Sequence, residues 1–203
     1  MVKHLNFVFV CLLWMCSSVV GQQYFPDHIL EQGSKTNDFD VNWYSGQLKA
    51  LKEPSLWQMS KESQTEQAYR FLWLRSFHHP IVVRLDVQAN GTGILTTKVA
   101  SGAGGYPPGT LAQNRTKDIP KEVVESFLAH VEEVKYWSLP TRELSDQNIV
   151  NLDGAEWVLE GVRKGTYKIV DRWSPEKGSP IRDLGLTMTI DLAGMKLLYQ
   201  DVY

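Results

Sequence analysis

The sequence predicts an α+β domain: an antiparallel sheet built from hairpins, with two or three helices packed on one face. Apolar and polar residues alternate along 69–77 and 81–87, which is the period of strands. The dipeptide Asn90-Gly91 follows the second of these segments and is a strong hairpin signal. Residues 123–134 and 181–193 carry apolar residues at helical spacing. Strands joined by tight turns run antiparallel, which favours an α+β domain over an α/β domain.

The N-terminus has the pattern of a secretory signal peptide. Lys3 precedes an apolar run from Leu5 to Val20, and small residues lead to an expected cleavage site after Gly21. The run has roughly 15 apolar residues, which is short for a membrane span. We therefore expect residues 1–21 to be removed, leaving a soluble exported protein, periplasmic or secreted, without stable membrane insertion. An uncleaved signal anchor is the alternative.

Charge and cysteine content narrow the class of protein. Both cysteines, Cys11 and Cys16, lie in the predicted signal peptide, so the exported chain must be stabilised by its core rather than by disulfides. The net charge of the full chain is −2, and removal of Lys3 makes the exported chain more negative. This charge does not favour a nucleic-acid partner.

The composition of the remaining chain divides it into two regions. Residues 22–40 are mostly polar and are predicted to be a leader or linker, and residues 41–203 are predicted to form a single α+β domain. Within it, Ser45 can cap a short helix that Pro54 ends, and Ser55 can start a second helical turn. Residues 101–110 form a Gly/Pro-rich loop, residues 111–117 a short strand, and residues 197–203 a terminal strand.

Residues 153–175 read as a β-hairpin in which charged residues pair across the strands. A three-residue loop, 163–165, would place Glu160 opposite Lys168 and Glu156 opposite Arg172. A two-residue loop would place Glu160 opposite Ile169. The charge pairs favour the three-residue loop, with Gly165 in the left-handed conformation.

Asp171 is the one candidate catalytic residue. In the predicted hairpin it shares a face with Trp157 and Ile169, where a carboxylate is costly unless it is hydrogen-bonded or paired. It therefore binds backbone N–H groups near the strand end, pairs with an arginine such as Arg84 or Arg182, or serves as a pocket acid with a raised pKa. Glycoside hydrolysis would need a second carboxylate, for which Asp191 and Glu160 are the candidates.

The sequence lacks the G-x-S-x-G motif of nucleophilic catalysis, the G-K-[ST] motif of nucleotide binding and the H-x-H and H-E-x-x-H motifs of metal binding. Gly102 to Gly105 lacks the lysine and the helix start of a phosphate loop. His78 and His79 are adjacent, so on a strand their side chains point to opposite faces. We expect no metal and no cofactor.

A binding protein is the function that the residues favour. Long loops in compact domains are often functional, and the Gly-rich loop carries Tyr106 at its tip. Trp157, Tyr167 and Trp173 are further candidates for a face that stacks on a sugar or peptide. The expected partner is a protein, peptide or glycan. The alternative is a secreted or periplasmic hydrolase that uses Asp171.

Three segments resemble an uncharacterised family of exported bacterial proteins over about residues 41–203. They are W-V-L-E-G-V-x-x-G-x-Y-K-I-V-D-R-W-S-P at 157–175, Y-R-F-L-W-L-R-S-F at 69–77 and N-G-T-G at 90–93. The first is the most specific. The resemblance implies a bacterial origin and a location in the cell envelope, and it implies no activity and no catalytic residues.

Overall fold

The protein is described by a computed structural model over residues 22–30, 36–62, 66–143 and 153–203, so the predicted signal peptide lies outside the described residues. The strands, in chain order, are β1 (Gln67–Arg75), β2 (Ile81–Val87), β3 (Gly93–Ala100), β4 (Leu111–Ile119), β5 (Ala155–Arg163) and β6 (Thr166–Trp173). They form one antiparallel sheet in the order β4-β3-β2-β1-β5-β6. The predicted α+β class is confirmed.

Helices lie before, between and after these strands. They are α1 (Thr36–Ala50), α2 (Leu56–Met59), α3 (Lys121–Glu133) and α4 (Pro180–Leu186), and α4 continues as a π-helical segment, Thr187–Leu192. Short 3-10 turns occupy Tyr136–Ser138 and Tyr199–Asp201. In the part of the chain that the structure describes, none of the helices has the length and hydropathy needed to cross a bilayer.

Both faces of the sheet are covered, so the expectation that helices pack on one face is wrong. The first face packs against α3 and α4, and its core includes Tyr69, Phe71, Trp73, Trp157, Phe127 and Leu184. The second face packs against α1, and its core includes Leu72, Leu74, Val82, Val158, Tyr44 and Leu48. The cause is visible in β1, where eight consecutive residues are buried. A strand buried on both sides is apolar at successive positions, whereas a strand exposed on one side alternates.

The segment predicted as a leader belongs to the domain. Tyr24, Phe25 and Leu30 are buried in the core of the second face. The Tyr24 hydroxyl donates to the carbonyl of Glu53 (3.1 Å), and the Ser55 hydroxyl donates to the carbonyl of Tyr24 (3.1 Å). The segment is polar on average, yet a few large apolar side chains are enough to anchor it.

The helical prediction for the start of the domain is partly confirmed. α1 begins well before Ser45, at Thr36, and ends before Pro54. Ser55 caps α2 as predicted, because its hydroxyl accepts from the backbone N–H of Gln58 at 3.1 Å.

The Asn90-Gly91 turn joins β2 to β3 as predicted. The backbone N–H of Gln88 donates to Thr92 at 2.8 Å, which leaves a three-residue loop. Gly91 closes it with a φ of 86°. The next strand, β4, is longer than predicted and lies at the edge of the sheet.

The hairpin of β5 and β6 has the register of the two-residue loop, and the predicted three-residue loop is wrong. Glu160 lies opposite Ile169, and the loop has two residues, Lys164 and Gly165, both left-handed with φ of 47° and 78°. Left-handed residues at both positions are typical of a type I′ turn. The prediction was wrong because Glu160 is paired with Arg70 on β1, on the other side of β5, and not across the hairpin.

The C-terminal segment is helical as predicted up to Gly194, which ends the helix with a φ of 68°. The predicted terminal strand at 197–203 is wrong. The carbonyl groups of this segment accept hydrogen bonds from side chains and not from a neighbouring strand. Arg75 donates to Asp201 (3.0 Å), Arg182 to Val202 (2.8 Å) and the Trp157 indole to Tyr203 (2.9 Å).

Candidate functional site

The four aromatic residues predicted to bind a partner are not brought together. Trp157 is fully buried on the first face, with ring centroids 5.2 Å from Phe71 and 4.8 Å from Trp73. Tyr167 lies on the second face and donates to Glu160 (2.8 Å). Trp173 is partly buried beside Gly154. Core packing therefore accounts for Trp157, and Tyr106 is the one exposed member of the four.

Tyr106 belongs to a surface of four aromatic side chains, Phe39, Trp43, Phe77 and Tyr106, called here the aromatic surface. Tyr106 is 58% exposed and Phe77 is 62% exposed, with ring centroids 6.4 Å apart. Phe39 on α1 is 69% exposed and lies 6.1 Å from Trp43. The Trp43 indole donates to the carbonyl of Gly104 (3.1 Å), which joins α1 to the Gly-rich loop.

The Gly-rich loop is held by backbone hydrogen bonds to the turn between β1 and β2. The N–H of Gly104 lies 3.1 Å from the carbonyl of Arg75 and 2.9 Å from that of His78, and the N–H of Gly105 donates to Ser76 (3.2 Å). A Cβ at Gly104 would lie 2.6 Å from the Arg75 carbonyl oxygen, so glycine is required there. Tyr106 and Phe77 are consequently presented from two turns that are bonded to each other.

Polar groups contact His78, the residue that follows Phe77 in the turn. The His78 Nδ1 lies 2.8 Å from the Tyr203 hydroxyl, and its Nε2 lies 3.6 Å from the Asp201 carboxylate. Which ring nitrogen carries the proton depends on the tautomer of His78. Apolar rings beside polar groups form the usual arrangement of a protein interface, in which a polar rim surrounds an apolar centre.

Asp171 lies on the second face, opposite Val158, and not on the face of Trp157 as predicted. Its partner is Arg142 rather than Arg84 or Arg182, with guanidinium nitrogens 2.9 and 2.7 Å from Oδ2. The Tyr44 hydroxyl lies 3.2 Å from both carboxylate oxygens. These contacts are those of a paired structural carboxylate.

The carboxyl next to Asp171 belongs to Glu156, which the sequence analysis did not select. Burial raises the pKa of Glu156 well above its usual value, and the negative charge of Asp171, with which it shares a hydrogen bond, raises it further. Neither Asp191 nor Glu160 supplies the second carboxylate. Alternation along β5 placed Glu156 and Glu160 on one face, but only the correct hairpin register puts Glu156 near Asp171.

A second cluster of charges is buried between the sheet and the segment that follows α1. Arg70 on β1 binds Glu160 on β5, with nitrogen–oxygen distances of 2.7 and 2.5 Å, and both side chains are fully buried. Glu53 lies beside them and pairs with Arg84 (2.9 Å) and Lys98 (2.7 Å). With every member paired, this cluster has the character of a structural network.

The described residues contain no group of three or more potential metal ligands close together. Phe39, Trp43 and Phe77 are the functional candidates that sequence reasoning missed. The alternation along 69–77 predicts a strand that includes Phe77, but β1 ends at Arg75 and Phe77 falls in the turn. The signal was its position directly before His78-His79-Pro80, where a turn exposes a large ring.

Comparison with known proteins adds no functional assignment. No protein-family model matches this chain, and no curated protein matches it with significant similarity. The aromatic surface and the two charge clusters are therefore interpreted on their chemistry alone.

The raised pKa of Glu156 predicts how stability depends on pH. Between the unfolded pKa of about 4.3 and its higher folded value, the native state binds more protons than the unfolded state, so stability falls as pH rises through this window. Glu156→Gln keeps the shape and does not titrate. We expect it to lose less stability than the wild type between pH 5 and pH 8, because it has no proton to lose in this window. Urea unfolding at pH 5 and pH 8 measures this.

The control for that measurement is Glu133→Gln, at the exposed end of α3. It removes the same charge and should leave the change in stability between pH 5 and pH 8 as in the wild type. A Glu156→Gln protein with the wild-type pH dependence would show that Glu156 does not hold a proton in the folded state.

Proposed function

We propose that this protein is a soluble exported binding protein that holds its partner at the aromatic surface. One observation carries the proposal: Phe77 and Tyr106 are both more than half exposed, although they lie side by side on two turns that are hydrogen-bonded together. Exposing large apolar rings has a cost in water, and contiguous exposed apolar patches commonly mark interaction sites. Because the loop is already held, little conformational entropy is lost when a partner binds.

The chemistry of the surface indicates a partner with a flat apolar group. Aromatic rings bind the faces of other rings and the apolar faces of sugars, and both groups could lie against Phe77 and Tyr106. The side chain of His78, the residue after Phe77, is 38% exposed and supplies a polar group beside the rings. A protein, peptide or glycan fits this description, and the envelope of a bacterium is the location that the sequence resemblance implies.

Export rests on the first 21 residues, with one lysine before an apolar run that ends in small residues. The buried position of Tyr24 and Phe25 is compatible with cleavage after Gly21, because the folded domain begins only a few residues later.

A secreted hydrolase is the second candidate, and the pairing of Asp171 with Glu156 is the observation in its favour. Two neighbouring carboxyl groups, one of them with a raised pKa, are the usual equipment of acid–base catalysis. Against it, Asp171 is 5% exposed and its oxygens are bound by Tyr44 and Arg142. The binding function is therefore the better supported.

Site-specific photo-crosslinking tests the aromatic surface. Benzoylphenylalanine in place of Tyr106 should form a crosslink to one partner in the native envelope, because the partner covers this ring. The same label in place of Leu198, which is 62% exposed, is the control and should not capture that partner. Crosslinked products are compared by mass spectrometry.

Phe77→Ala in the labelled protein should lower the yield of the crosslink several-fold, since the ring beside Tyr106 contributes to the same contact. Equal capture from positions 106 and 198, or a yield that Phe77→Ala leaves unchanged, would contradict the proposal.

Export is tested by the intact mass of protein recovered from its native source. The expected mass corresponds to a chain that begins at Gln22 or within a few residues of it, found outside the cytoplasm. A membrane-bound product that retains residues 1–21 would overturn this part of the proposal and leave the aromatic surface untouched.

A further inference from the structure

A groove lies on the first face of the sheet, between strands β3 and β4 at the sheet edge and the end of the C-terminal helix. It shares no residue with the aromatic surface. It encloses about 540 Å³, a volume within the usual range for ligand sites. Its apolar floor is formed by Leu95, Val99, Ala193 and Met195, and its polar residues include Arg115, Lys117 and Lys196.

The three cations of the groove have no partner within the described residues. Arg115, Lys117 and Lys196 make no hydrogen bond or ion pair there. Asp118, the neighbouring acid on β4, points to the opposite face because side chains alternate along a strand. The groove therefore concentrates positive charge on a protein whose net charge is negative.

The strand that carries two of these cations is also open to a further strand. β4 pairs with β3 on one side and with no described strand on the other. Residues 112–118 are all exposed, and the described part of the chain offers their backbone no hydrogen bond beyond the pairing with β3. A strand edge of this kind accepts an extended peptide by backbone hydrogen bonding.

The positive charge of the groove and the unpaired edge of β4 together define one kind of occupant. Arg115 and Lys117 lie two residues apart, so their side chains repeat at about 7 Å along the groove side of β4. A strand added beside β4 repeats its own side chains at the same distance on the same face. Acidic residues at alternate positions would then face Arg115 and Lys117, with Lys196 on the opposite wall.

We propose that the β4 edge binds an extended acidic segment of a partner protein, with carboxylates at alternate positions directed to Arg115 and Lys117. This is a second site, independent of the proposed role of the aromatic surface. The cations also give specificity, because lysine and arginine on an edge strand disfavour neutral and basic strands and favour acidic ones.

A second copy of this chain is not the occupant. On the groove side, β4 presents Gln113, Arg115, Lys117 and Ile119, with no acid among them. Two copies paired through β4 would bring like charges together on this face without compensation, which is destabilising.

Binding of a synthetic peptide tests the proposal. The probe is a labelled seven-residue peptide, acetylated and amidated, of threonine with glutamates at its third and fifth residues (the alternating peptide). The comparison peptide has the same composition with its two glutamates at adjacent residues, the third and the fourth (the blocked peptide), so that they point to opposite faces of a strand. Fluorescence anisotropy should show the alternating peptide binding at least about fivefold more tightly, since only it can face both cations from one side of a strand.

Charge reversal provides the matched variants. Arg115→Glu/Lys117→Glu should lose the alternating glutamate peptide and bind a threonine–lysine peptide of the same pattern. Lys121→Glu/Lys177→Glu changes the net charge equally at exposed positions away from the groove and should retain wild-type binding. Phe77→Ala should also retain it, which separates this site from the aromatic surface.

Backbone pairing is tested on the peptide, where the fold of the protein is not at risk. A strand donates to its neighbour from alternate residues. Two peptides are compared, one N-methylated at its odd-numbered residues and the other at its even-numbered residues. The peptide whose methyl groups replace the N–H groups that donate to β4 should lose binding, and the other should keep it. Equal loss with both peptides, or equal affinity of the blocked and alternating peptides, would overturn the proposal. Competition by heparin or by vesicles of anionic lipid with no peptide preference would identify a general anion site instead, and would likewise overturn it.

Discussion

The ion pair between Arg70 and Glu160 is the interaction on which the second face of the sheet depends. Both side chains are fully buried on adjacent central strands, and the Arg70 guanidinium also donates to the carbonyl of Pro54 (2.5 Å). A buried charge is tolerated only when it is paired and covered, since an unpaired one costs several kcal/mol. The pair therefore requires the segment that carries Glu53 and Pro54 to close over it, and that segment is the continuation of α1.

The same cover positions the candidate binding surface. α1 is held against the sheet by Tyr44 and Leu48. From this helix, Trp43 and Gln47 donate to the carbonyl groups of Gly104 and Tyr106. The buried ion pair therefore helps to hold α1 in place, and α1 in turn helps to hold the loop that carries Tyr106. Loss of the cover would free the Gly-rich loop from one side, although its bonds to the turn after β1 would remain.

Periodicity was sufficient to predict the class of fold, the first strands and the stripe of the last helix, because these depend on local alternation of apolar residues. It failed where partners came from elsewhere in the chain. Charge pairing predicts Lys168 as the partner of Glu160 across the hairpin, but Glu160 pairs with Arg70, about ninety positions earlier. Asp171 similarly pairs with Arg142. Of the candidate site, Tyr106 was predicted from its exposed loop, whereas Phe39 and Phe77 join it only through tertiary contacts that no local pattern contains.

The most direct test of this account is a double-mutant cycle on Arg70 and Glu160, measured by urea unfolding. Arg70→Met leaves the Glu160 carboxylate buried without its cation, and should cost about 3–5 kcal/mol. Glu160→Gln keeps an acceptor for the Tyr167 hydroxyl. The account predicts that the double variant is more stable than the sum of the single changes by at least about 1 kcal/mol, because the unpaired charge is gone. Additive effects, within about 0.5 kcal/mol, would contradict the central role of this pair.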